Sequence, residues 1–199
     1  VNDPPILDLN GSAPGASSSA LYVGGLGAVA LAPAAVLSDV DSDWLVAITA
    51  QIKNGVAGDV LSLSQAAAAA AASAAAIVSY NAGTKTLSIS GAQIALDIAK
   101  TIVDSVSFVT TDASAGSRTV DISIQDVSGA TPVTQSATIT LTQQPYASIT
   151  RPSTSYVLTL NGDPGAQSVI VDLVQDRIVG DGAPISASGG SMIAVVDVN

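Results

Sequence analysis

The chain has 199 residues and a formal net charge of −10, with 16 Asp and Glu against 6 Lys and Arg, and it contains no Cys and no His. That charge repels phosphate backbones and sets nucleic acid aside as a partner. The missing residue types remove disulfides, thiolate and imidazole metal sites, and every catalytic triad that needs a histidine. Aromatic residues make up only 3%, so the core must come from Ala, Val, Ile and Leu, side chains that suit thin, closely packed sheets. No strongly apolar run reaches the 18 residues of a membrane span. A start at Val1, without a signal peptide, reads as an internal or processed portion of something longer.

In chain order, Asn2-Asp3-Pro4-Pro5 predicts a stiff, extended entry segment. A short strand follows over residues 6–9 and a turn at Asn10-Gly11. Residues 46–52 alternate, with Val46, Ile48 and Ile52 on one face and Thr49 and Gln51 on the other. After Asn54-Gly55 comes a strand at 60–63, then an alanine run whose propensity predicts a helix over 65–76, started by Ser64. Strands at 77–80 and 86–89 flank the turn Asn81-Ala82-Gly83. Ile94, Ile98 and Ile102 at fourfold spacing predict a crossover helix over 92–104. Three more strands follow: one at 106–110, one with Val120, Ile122 and Ile124 facing one way, and one with Ala137, Ile139 and Leu141. Many short strands with frequent turns predict an all-β, antiparallel sandwich carrying a short Ala-rich helix and a crossover helix.

The chain also repeats itself. Ile6-Leu7-Asp8-Leu9-Asn10-Gly11 is echoed by Val157-Leu158-Thr159-Leu160-Asn161-Gly162, and each is followed by Pro-Gly-Ala. Val36-Leu37-Ser38-Asp39-Val40-Asp41 is echoed, in the same order, by the run from Val195 to Asp197. The expected organisation is one full repeat over 1–142, a linker over 143–154, and an incomplete second repeat over 155–199. That second repeat needs a following segment or another subunit to complete it.

One stretch has the chemistry of a binding site. In Ser38-Asp39-Val40-Asp41-Ser42-Asp43, three carboxylates at alternate positions precede a strand. Such a loop converges on a hard dication, and Ca²⁺ takes six to eight oxygens at about 2.3–2.6 Å. Asp39, Asp41 and Asp43 are the expected ligands, with Asn2, Asp3 and Asp126 as candidates to complete the set. No Gly or Glu stands at EF-hand spacing. A solvated acidic turn is the alternative.

Several segments, in order, carry a family resemblance. Val1-Asn2-Asp3-Pro4-Pro5-Ile6-Leu7-Asp8-Leu9 resembles the opening of cadherin-like repeats in giant bacterial adhesins and RTX-type surface proteins. Residues 38–43 resemble their acidic turn, Gly58-Asp59-Val60-Leu61 their Gly-Asp strand, and Tyr80-Asn81 through Gly91 their next hairpin. Val106-Ser107-Phe108, Arg118 to Ile122 and Gln125-Asp126 resemble later strands and a late turn. The alanine run is an insertion, Val127 replaces a Gly, and Thr150-Arg151-Pro152 replaces Asn-Asp-Pro. The resemblance implies tandem Ig-like sandwiches with Ca²⁺ at junctions and loops.

The expectation is therefore a structural repeat of a secreted bacterial adhesin, surface layer or extracellular fibre. Its partners would be neighbouring repeats, with self-assembly as an extension of the same contacts. A carbohydrate- or protein-binding module is the alternative, with Trp44 beside the acidic turn as a sugar platform; a core or edge plug is the plainer role for that Trp. No carboxylate pair stands out as catalytic, and the chain reads as a non-enzyme.

Overall fold

The computed structural model describes residues 3–129, 131–142, 147–150 and 157–160. The chain divides into two compact units, Val1–Gln143 and Gln144–Asn199. The first holds β1 (Ile6–Asp8), β2 (Ser18–Val23), β3 (Val29–Ala30), β4 (Val36–Ser38), β5 (Trp44–Ile52) and β6 (Val60–Ser62). It continues through α1 (Gln65–Ser73), β7 (Ile77–Asn81), β8 (Thr86–Ala95), α2 (Leu96–Ser105), β9 (Ser107–Val109), β10 (Gly116–Asp126) and β11 (Val133–Thr142).

A six-stranded sheet runs β2-β11-β10-β5-β8-β7, a three-stranded sheet runs β3-β9-β6, and β1 pairs with β4. All described pairings are antiparallel except β2 with β11, which is parallel. One buried cluster takes Ile48, Val120, Ile122 and Ile139 from the large sheet, Leu61 and Phe108 from the small one, and Leu7 from the β1–β4 pair. The unit is mostly β, consistent with an all-β sandwich. Phe108, the chain's single Phe, is fully buried and meets Tyr22 edge-on at 5.5 Å. Its burial contributes about 1.5–3 kcal/mol.

Alternation along β10 buries Arg118, Val120, Ile122, Ile124 and Asp126 and leaves the residues between them partly or fully exposed. In β5 the alternation breaks once. A register shift between Leu45 and Ala47 turns Leu45 as well as Ile48 inward, so Leu45, and not Val46, joins the core.

Both helices are shorter than their sequence patterns. α1 starts where the Ser64 hydroxyl accepts from Ala67 N at 3.2 Å, and it ends before Ala75, whose φ of 53° is left-handed. Its buried residues are Ala67 and Ala71, one turn apart, and it packs against α2 and β7. α2 begins at Leu96 and not at Ala92. Residues 92–95 extend β8, pairing Ile94 with Leu45 and Ala95 with Trp44. The helix buries Ala99, Ile102 and Val103, while Ile94 reaches the core from the strand. The fourfold isoleucine spacing therefore spans two elements. α2 still crosses over, carrying the chain from the large sheet to the small one.

In the second unit, β12 (Ala147–Thr150) pairs antiparallel with β13 (Val157–Leu160). Ala147–Thr150 is thus a strand within the stretch expected to be linker. β13 carries the echo of β1, but it pairs with the strand before it, whereas β1 pairs with β4 further on. The remaining echoes lie outside the described residues.

Candidate functional site

β10 carries one charged side chain near each end of its inward face, Arg118 and Asp126. Eight residues of strand separate them, about 27 Å. Each anchors a cluster of carboxylates.

At the Asp126 end, the turn between β4 and β5 holds Asp39, Asp41 and Asp43. Asp39 Oδ1 accepts from Asp41 N at 3.3 Å, while Asp39 Oδ2 is buried with no hydrogen-bond partner. Asp41 Oδ2 accepts from Asp3 N at 2.9 Å, tying the entry segment to the turn. Asp126 is 1% exposed; its carboxylate accepts from Ser128 N at 3.2 Å and from Ser128 Oγ at 2.7 Å. Burial pushes the Asp39 carboxyl above its ordinary value, and the negative charges of Asp41 and Asp126 push the same way, partly offset by the Asp41 N–H.

Asp39, Asp41 and the backbone of Asp3 are therefore linked by hydrogen bonds, and Asp126 is near enough for its charge to act on Asp39. Asp43 is exposed at the turn's end, and its carbonyl accepts from Leu96 N at 3.1 Å. Asn2 lies outside the described residues. Among the described residues, no three His, Cys, Asp or Glu side chains gather closely enough to form a metal-holding group. The donor chemistry nevertheless suits a hard dication: Asp39 presents a buried anionic oxygen without a hydrogen-bond donor. Trp44, the first residue of β5, is 41% exposed and so does not plug the core.

At the opposite end, Arg118 donates from Nε to Asp59 Oδ2 at 2.7 Å and from Nη2 to Asp112 Oδ2 at 2.6 Å. Arg118 is 7% exposed and Asp59 is fully buried. Asp59 Oδ2 also accepts from Val56 N at 2.8 Å, and the Asp59 carbonyl accepts from Tyr80 Oη at 3.1 Å. Gly58 sets up the turn with φ of +90°; a Cβ there would lie 2.2 Å from Thr111 Oγ1. Burial alone would lower the Arg118 pKa, but its hydrogen bonds to both carboxylates hold it above the ordinary value. The Asp112 carboxyl is held low by the Ser114 N–H and hydroxyl and by Arg118.

Spacing along the sequence does not mark this second cluster as a site. Arg118 stands two residues before Val120 on the same alternating face, and Asp126 two residues after Ile124. Parity alone places both charges inside.

Compared with known proteins, the chain matches no family model, no curated protein and no solved structure.

Proposed function

We propose that this chain is a structural repeat of a secreted bacterial surface protein, an adhesin, surface layer or extracellular fibre, built of Ig-like, cadherin-like sandwiches and stiffened by Ca²⁺. The observation that carries the proposal is the hydrogen bond from Asp3 N to Asp41 Oδ2, which ties the entry segment to the acidic turn beside the buried Asp39 oxygen. A cation at that turn would hold the entry segment to the end of the sheet. The large sheet's order, with hairpin-linked strands on one side and a parallel terminal strand on the other, supports the Ig-like reading. No helix among the described residues is long and apolar enough to cross a membrane.

Asp39 and Asp41 would supply carboxylate oxygens, and Asp126 would add negative charge behind them. Bound calcium would offset both the burial of the Asp39 carboxylate, which chiefly raises its pKa, and the like charges of Asp41 and Asp126 that add to it. Neighbouring repeats are the proposed partners. Calcium calorimetry on the intact chain, with melting in calcium and in chelator, tests the cation. Heat of binding and a higher melting temperature in calcium are expected; neither would leave a solvated acidic loop. Antibody labelling of intact source cells tests the location, and labelling only after lysis would overturn it.

One observation favours a second reading. Trp44 is exposed directly beside the acidic turn, where an aromatic face could stack on a sugar. Glycan-array binding that is lost in Trp44→Ala would establish a carbohydrate-binding module in place of a plain spacer.

A further inference from the structure

In this unit the first and the last strands of the large sheet in chain order, β2 and β11, lie side by side and run the same way. β2 pairs with β11 in parallel over six residue pairs, from Ser18 opposite Ala137 to Val23 opposite Thr142. The ladder extends one step further, with Gly24 N donating to Thr142 O at 2.9 Å. Chain entering from the N-terminal side reaches β2 at Ser18. Chain leaving the unit departs from β11 at Thr142. Those two points sit at opposite ends of the same ladder.

The polarity decides how tension is borne. A pull on both ends of the chain drags β2 backward along its axis and β11 forward along the same axis. The cross-strand hydrogen bonds then lie across the load and are strained together, so several must break in one step. Had the two strands been antiparallel, entry and exit would share one end, and the pairs would open one at a time.

Both strands are also held from behind. β11 pairs with β10 over nine residue pairs. β2 is pinned to the core by Tyr22, which is 3% exposed, stacks edge-on with Phe108 and donates from its hydroxyl to Thr110 O at 2.9 Å. Ser18 Oγ donates to Leu31 O at 2.8 Å at the point where load arrives. Among the described residues, the one ladder ahead of β2 on the load path is β1 with β4, three pairs long.

We infer that the β2–β11 ladder is a shear clamp and that the unit Val1–Gln143 has a tension-bearing function along the chain. The use of that function in a surface protein rests on the proposed function; the clamp itself rests on strand polarity alone. It resists force through the barrier to unfolding, and not through equilibrium stability.

The chain contains no cysteine, so introduced cysteines define where force is applied. Two versions of the full chain are pulled by single-molecule force spectroscopy. V1C/N199C loads β2 from Ser18, in shear. L26C/N199C loads β2 from the turn after Val23, at the end where β11 exits, so the ladder is peeled. Leu26 is 69% exposed, and replacing it leaves the core intact. The event of interest releases about 40 nm of chain, at roughly 3.3–3.6 Å per residue. Its rupture force is expected to fall roughly twofold or more when loading changes from shear to peeling. Equal forces in the two geometries overturn the clamp wherever the protein resides. Unequal forces from a chain that labelling places inside the cell keep the clamp and remove the surface reading.

Discussion

The two ends of β10 bury carboxylates under opposite terms. At one end Asp59 is fully enclosed, but Arg118 lies against it at 2.7 Å and the main chain of Val56 donates to the same oxygen. At the other, Asp39 Oδ2 is buried without a hydrogen-bond partner, Asp126 is held by Ser128 N and Oγ, and Asp41 and Asp126 both act on Asp39 as like charges. Removing an anion from water costs several kcal/mol unless a cation or hydrogen bonds replace the lost hydration. The Arg118 cluster supplies that cation from within the chain. Under the proposed function the acidic turn takes its cation from solution, and solution conditions would act there first.

The largest effect is expected from breaking the internally neutralised end. Arg118→Met leaves Asp59 buried beside no cation and is expected to cost about 3–5 kcal/mol of unfolding free energy, read by urea denaturation. Converting Asp59 to Asn in the same chain should recover much of that loss. A cost below about 1 kcal/mol for Arg118→Met would place the two ends on an equal footing.

Calcium probes the other end. At a hundredfold excess over its dissociation constant, a bound ion stabilises by about 2.7 kcal/mol. Asp39→Asn with Asp41→Asn should abolish that gain while the calcium-free melting temperature stays level or rises. Arg118→Met should leave the calcium increment unchanged, because the clusters lie about 27 Å apart along β10.

The pH dependence of the two ends has opposite signs. In chelator, Asp39 binds its proton more tightly in the folded chain than in the unfolded one. Its contribution is fully present below its ordinary value of 3.8 and is lost as pH rises through the raised folded value. Asp112 contributes above 3.8, and that contribution is lost as pH falls through its lowered folded value. At neutral pH, Asp39→Asn should therefore be more stable than the parent chain and Asp112→Asn less stable. Both differences should shrink on acidification, as measured by denaturant titration at several pH values. The smallest effect is expected from Asp43→Asn, since Asp43 is exposed and is not among the charges acting on Asp39.

Much of the β architecture was legible because one face of each long strand is apolar and the other is not. Alternation located β10 and β11 and identified Val120, Ile122, Ile124, Ala137, Ile139 and Leu141 as inward-facing. It failed at Val46 because a bulge changes parity inside β5, and a bulge depends on the neighbouring strand. The start of α2 was misplaced because Ile94, Ile98 and Ile102 satisfy a helical period although Ile94 belongs to β8. In the acidic turn, alternate spacing grouped Asp39, Asp41 and Asp43; the fold links Asp39 with Asp41 and leaves Asp43 exposed where β5 begins, which local sequence does not mark. Arg118 and Asp59 meet across 59 residues of chain, and no local pattern pairs them.

Strand β7 has a practical consequence. It ends the six-stranded sheet with a single neighbour, β8, among the described residues. Its sequence, Ile77-Val78-Ser79-Tyr80-Asn81, contains no Lys and no Pro, and Ile77 is 69% exposed. Edges of this kind are where foreign strands add. Concentrated samples should therefore scatter light first through this edge, as a slow, salt-promoted loss of monomer. Ser79→Lys, a single charge on the rim, should keep the protein dispersed through purification and storage while leaving both carboxylate clusters as they are.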